Sequence, residues 1–210
     1  MDLGKNTALF LLAAIAVFLM STCSAQDNLA VVGSFQYTKD STGFGYGLVE
    51  NQSSRPSLGG GAEYRRIWRT NGFSVAYNLA TTDAKFTAQG GKIQWGMLRH
   101  EINGGYVRTW HRNESPITSY AKVGAGVFIT DGGWAPGGVV GLDDQFEIVT
   151  EGGTELKLRK GLALRSGCSF HFFRAPNFSD SQYRGGRTVM VEPRLGIVWA
   201  WGSLPLPRRR

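Results

Sequence analysis

The sequence predicts an all-β protein: eight antiparallel strands closed into an up-and-down transmembrane barrel, behind a cleaved signal peptide. Three observations carry that reading. Apolar and other residues alternate with period two along segment after segment. The links between these segments alternate between short and long. A single short apolar run stands at the N-terminus.

That run is ALFLLAAIAVFLM, Ala8 to Met20, behind the basic Lys5. A helix across a bilayer core needs roughly 17–25 apolar residues, so thirteen fit a secretory signal better than a span. Small residues at Cys23 and Ala25 place cleavage after Ala25 and assign 1–25 to the signal peptide. The stretch MSTC also resembles a lipoprotein signal around Cys23, but Thr22 stands where such signals carry Gly, Ala or Ser. Reading the run as a buried helix finds no amphipathic pattern to support it. Cleavage removes Asp2, Lys5 and Cys23, so the net charge stays at +7 and Cys168 is left alone. An internal disulfide framework is thereby excluded. No second apolar run is long enough for a spanning helix.

The mature region divides into a barrel domain, 26–202, and a basic periplasmic tail, 203–210. Strands are expected at roughly 28–39, 56–69, 72–82, 93–110, 117–131, 144–158, 161–174 and 187–201. Strands two and three are joined only by TNG, four and five by HRNESP, six and seven by KG; the other links are longer. Short turns on one side and long loops on the other describe a barrel of outer-membrane type. Pro193 weakens the last strand, because proline cannot donate to a ladder, and a bulge there would accommodate it. Strand four is the least regular, with His100 and Arg108 on the face of Leu98, Ile102 and Tyr106.

Two architectures fit eight alternating strands. A secreted calycin-like barrel would turn its apolar face inward around a small ligand; a membrane barrel turns it outward and fills the lumen with the polar face. The polar face carries Glu63, Arg65, Arg99, Glu101, Lys122, Glu147, Glu151, Glu155, Lys157, Arg165, Glu192 and Arg194, six acids and six bases. Glycines recur on that face, leaving room for long side chains. An eight-stranded barrel is just wide enough to be filled by side chains, and balanced charges can pair inside it. The expectation is a charge-plugged lumen without an open pore.

Aromatics favour the membrane alternative. Trp68, Trp110, Trp199 and Trp201 lie at short-turn ends, and Phe35, Tyr37, Phe128, Phe146, Phe170 and Phe172 near long-loop ends, two girdles at two interfaces.

The last strand reads RLGIVWAW, Arg194 to Trp201. It resembles the C-terminal β-signal of outer-membrane proteins, with Arg194, Gly196, Trp199 and Trp201 at the marked positions. The resemblance implies recognition by the barrel-assembly machinery. The sequence GSLPLPRRR departs from the pattern, since many such proteins stop at or just after the final aromatic. With SLGGGAEYR and GLALRSGCSFHF, the mature chain resembles the small OmpA-like eight-stranded barrel domains of Gram-negative bacteria. The resemblance implies a fold and an outer-membrane location.

No catalytic constellation emerges. His100, His111 and His171 stand at no metal-ligand spacing, and SLGGGAE opens a strand rather than a helix, which disfavours phosphate binding. Neither metal nor cofactor is expected. Lipid A deacylases are the enzymes worth testing, being eight-stranded barrels with His-x-Ser-Asn near the end of strand seven. Here HFFR keeps His171 but puts Phe173 and Arg174 in place of Ser and Asn, while Ser169 shares a face with His171. The expected role is therefore non-enzymatic, structural or interactional, through long extracellular loops that could bind a ligand. Basic residues at the short-turn end (Arg66, Arg69, Arg108, Arg112, Arg159, Lys160 and Arg208–Arg210) suit anionic lipid headgroups better than nucleic acid.

Overall fold

A computed structural model of the chain describes residues 25–45, 48–88, 91–111, 115–131, 134–135, 138–139, 142–175 and 186–202. The expected signal peptide, apart from Ala25, and the expected tail at 203–210 lie outside the described residues.

Eight strands form the wall: β1 (Gln26–Thr38), β2 (Ser57–Trp68), β3 (Asn71–Ala88), β4 (Gly91–His111), β5 (Ile117–Asp131), β6 (Leu142–Arg159), β7 (Leu162–Arg174) and β8 (Arg187–Gly202). Each pairs antiparallel with its neighbour in sequence. β8 returns to β1, with Trp201 opposite Asp27 and Trp199 opposite Leu29. The wall is closed, so the barrel has no unpaired edge.

The turn between β2 and β3 is Arg69–Thr70, with Arg69 at a φ of 57°. TNG is therefore not the turn itself, because Asn71 and Gly72 already belong to β3. Gly72 is needed for another reason: a Cβ there would lie 2.1 Å from the Arg66 carbonyl oxygen. A second tight turn joins β6 to β7 at Lys160–Gly161, where Gly161 takes a φ of 76°.

On the opposite side the strands run further than the sequence suggests. β3 and β4 stay paired up to Ala88 and Gly91, so the link expected after residue 82 is a projecting hairpin. A ribbon of Ser41–Gly45 and Leu48–Ser54 pairs onto it, with Asn51 opposite Thr87. A membrane strand needs about 9–11 residues. β3, with 18, and β4, with 21, therefore stand well clear of the hydrocarbon.

Alternation settles which face points where. Leu29, Val31 and Phe35 on β1, Val123 and Val127 on β5, Phe146 and Ile148 on β6, and Leu195 and Ile197 on β8 are all exposed outward. Soluble monomers rarely expose contiguous apolar patches beyond a few hundred Å². A continuous apolar exterior on every strand suits lipid and rules out the calycin-like arrangement. Trp110, Trp199 and Trp201 are exposed at the short-turn ends, and Arg66 and Arg108 lie over the rings of Trp68 and Trp110. Phe35, Tyr37, Phe146, Phe170 and Phe172 form the outward girdle near the loops.

Phe128 does not belong to that girdle. It is 1% exposed, inside the barrel, stacked edge-on against Phe173. The reason is parity, since it lies an even number of residues from Lys122 and shares the inward face. Pro193 needs no bulge: the β7–β8 register runs unbroken past it, with Cys168 opposite. On its other side the β1–β8 ladder skips from Ser34–Arg194 to Tyr37–Val191, as a missing N–H would require.

Candidate functional site: the charged lumen

Inward positions of the strands converge on two connected groups of buried polar side chains. The group nearer the short turns is an ion-pair network. Glu63 accepts from Arg65 at 2.8 Å, from Arg165 at 2.6 Å and from Lys122 at 3.2 Å. Glu151 bonds Arg65 at 3.1 Å and Arg194 at 3.2 Å, and also accepts from the Tyr120 hydroxyl at 2.7 Å. Glu155 holds Arg165 at 2.7 Å. Neutral donors and acceptors complete the set: Lys122 donates to Asn103 and Arg194 to Asn78. Both Arg65 and Arg165 also lie over the ring of Tyr120, at 4.1 and 5.5 Å.

The group nearer the loops centres on His171. Its Nδ1 lies 2.7 Å from a Glu147 oxygen and 3.8 Å from a Glu101 oxygen, and its Nε2 lies 3.0 Å from Glu192. Gln36 donates to the other Glu192 oxygen at 2.9 Å, and Asn103 donates to Glu101. Arg99 donates to Gln36 and Met190, and lies 4.9 Å above the Phe128 ring. Phe128, Phe173 and Met190 form an apolar cluster on the loop side of this group. A second cluster, Ala30, Val32 and Val198, lines the wall toward the short turns.

Of the twelve charged residues expected in the lumen, Glu63, Arg65, Arg99, Glu101, Lys122, Glu147, Glu151, Arg165, Glu192 and Arg194 are buried together. Glu155 is half-buried, and Lys157 is exposed. The last turn of wall explains the difference: the β6–β7 register shifts between Lys157 and Arg159, where the lumen meets water. Sequence spacing gives no partners for His171 because they sit on β6, β8 and β4. Its parity with Arg165 and Ser169 was the available signal. The other histidines are peripheral, His100 bonding Tyr77 and His111 bonding Thr118.

Within the last strand, Arg194 and Gly196 face inward while Trp199 and Trp201 face out. Gly196 sits against β1 so closely that a Cβ would lie 2.4 Å from the Val31 carbonyl oxygen. Ser169 and His171 are both fully buried in the lumen, out of reach of a lipid chain on the outer wall.

No protein-family model and no curated protein matches the chain. Solved structures do match its fold. The outer membrane protein OprG from Pseudomonas aeruginosa has a TM-score of 0.63 at 10% identity, covering 86% of this chain and 98% of that one. Neisserial surface protein A has a TM-score of 0.53 at 11% identity, covering 81% and 96%. Ail of Yersinia pestis, solved with the heparin analogue sucrose octasulfate, has a TM-score of 0.50 at 10% identity, covering 85% and 100%. At such identities the likeness is one of fold, that of small outer-membrane β-barrels. The chain is a small outer-membrane-type β-barrel.

Proposed function

We propose that the protein is an integral outer-membrane barrel without catalytic activity, sealed inside and acting through its loop-side extensions in a structural or surface-binding role. The observation that carries this reading is the ion-pair network of Glu63, Glu151, Arg65, Arg165, Lys122 and Arg194, which fills the lumen from five strands. A conduit of useful width would need those partners separated, and separating buried pairs is costly. The projecting β3–β4 hairpin and its ribbon supply the surface for contact with an extracellular ligand. The outward apolar face suits outer-membrane lipids. The Arg194, Gly196, Trp199 and Trp201 pattern is the reading we give to recognition by the assembly machinery, after export directed by residues 1–25.

The direct test is electrical. Refolded barrel in a planar bilayer should show no large, stable channel at any moderate voltage. Steady openings on the scale of a general porin would refute the sealed lumen.

A further inference from the structure

We propose that Glu101, His171 and Glu192 form a site for one divalent transition-metal ion inside the barrel, with Glu147 as the outer partner of the imidazole. The three residues come from β4, β7 and β8, and each offers a ligand atom within 4.8 Å of the others. Donors sharing one zinc-sized ion lie about 3–4 Å apart, given metal–ligand bonds of about 2.0–2.2 Å. Small side-chain rotations close that gap.

The imidazole is oriented for the task. Glu147 lies 2.7 Å from Nδ1 and Glu192 3.0 Å from Nε2, so a neutral ring donating to Glu147 would present Nε2 to an ion standing between it and Glu192. Ligating histidines characteristically bond a carboxylate through their other nitrogen in this manner. Glu101 supplies the independent sign of a missing partner. It is 2% exposed, yet its Oε2 has no hydrogen-bond partner among the described residues, and neither has Oε1 of Glu147. Buried polar atoms in native proteins are nearly always satisfied.

Charge points the same way. The six lumen glutamates face five permanently charged partners, Arg65, Arg99, Lys122, Arg165 and Arg194. Four of those serve Glu63, Glu151 and Glu155. Glu101, Glu147 and Glu192 form ion pairs only with His171 among the described residues. Arg99, the fifth cation, lies in this group but donates to Gln36 and Met190, so three carboxylates face one guanidinium and one imidazole. A proton on the imidazole would supply one charge; a metal ion would supply two and also satisfy the orphaned oxygen. One imidazole with carboxylates is a donor set for zinc, manganese or ferrous iron rather than for magnesium or calcium. The cluster of Phe128, Phe173 and Met190 shields the site on the loop side, so the ion is captured as the barrel closes and leaves slowly afterwards.

The test uses the full mature chain, unfolded in urea with chelator, then refolded into detergent with zinc or with none. Heat-modifiable migration reports folding, and zinc is measured after gel filtration. The expected result is one zinc per folded barrel, resistant to brief chelation. Glu101→Gln and His171→Gln should fold and weaken binding at least tenfold, while Glu155→Gln keeps the ion. Substoichiometric zinc in the refolded wild type overturns the proposal. So does zinc affinity unchanged in both Glu101→Gln and His171→Gln, which would place the ion away from this cluster. Should neither variant fold, cobalt in the wild type decides. A stoichiometric, slowly released ion with the visible spectrum of nitrogen and oxygen ligation supports the site, and its absence overturns it.

Discussion

Arg65 and Glu151 meet at 3.1 Å across the full width of the barrel, from β2 and from β6. Those strands stand opposite one another in a ring of eight. A pair that spans a diameter closes the interior as no pair between neighbours could, and both side chains are almost wholly withdrawn from solvent. Such a pair adds little net stability over an apolar filling, but breaking it leaves an uncompensated buried charge.

The first prediction follows from Glu63, which holds three cations at once. Glu63→Gln keeps the volume, removes the charge and should cost about 3–5 kcal/mol. Half-buried Glu155 is screened by water at the rim, so Glu155→Gln should cost clearly less. Urea unfolding in lipid vesicles measures both. Equal losses would contradict the central place given to Glu63.

The second concerns the outer face. Val123 is exposed in the middle of β5 and Trp110 near the end of β4. Val123→Arg should destabilise by about 2–4 kcal/mol and Trp110→Arg by about 0–1 kcal/mol, the depth dependence of a charge against lipid. The same unfolding assay reads the difference. A neutral Val123→Arg would mean that this face meets water.

The third separates enzyme from scaffold. Ser169 and His171 are buried inside the barrel wall, so lipid A from cells expressing the protein should keep all its acyl chains by mass spectrometry. Loss of one chain, abolished by His171→Ala, would overturn the non-catalytic reading.

The fourth returns to the closing strand. Trp201 is exposed beside Asp27 at the short-turn rim, where a carboxylate costs about 0–1 kcal/mol. Trp201→Asp should therefore refold almost normally in detergent while its outer-membrane yield in cells falls severely. Normal yield in cells would leave Trp201 an ordinary girdle residue without a signalling role.

The wall was readable in the sequence because a membrane strand has one wet and one dry side, and period two records the difference. Where both sides are wet the record stops, which is why the β3–β4 hairpin beyond residue 82 was legible only as a loop. Phe128 stands at the height of the loop-side girdle, but its parity with Lys122 turns it inward. The lumen charges could be assigned to a face, but their partners could not. His171 finds Glu147 and Glu192 on neighbouring strands, and no spacing within one segment encodes that meeting.

The interior also acts as a check on assembly. A slip of one residue between strands would turn every inward side chain outward. Glu63, Arg65 and Arg165 would then face hydrocarbon, while Val123 and Ile197 crowded the lumen. A two-residue slip keeps the faces but moves each acid away from its base along the axis. Partners drawn from opposite walls, such as Arg65 and Glu151, come together only when all eight ladders are in register and the seam between β1 and β8 is shut. The charges thus contribute less to how firmly the barrel holds than to which barrel it can be.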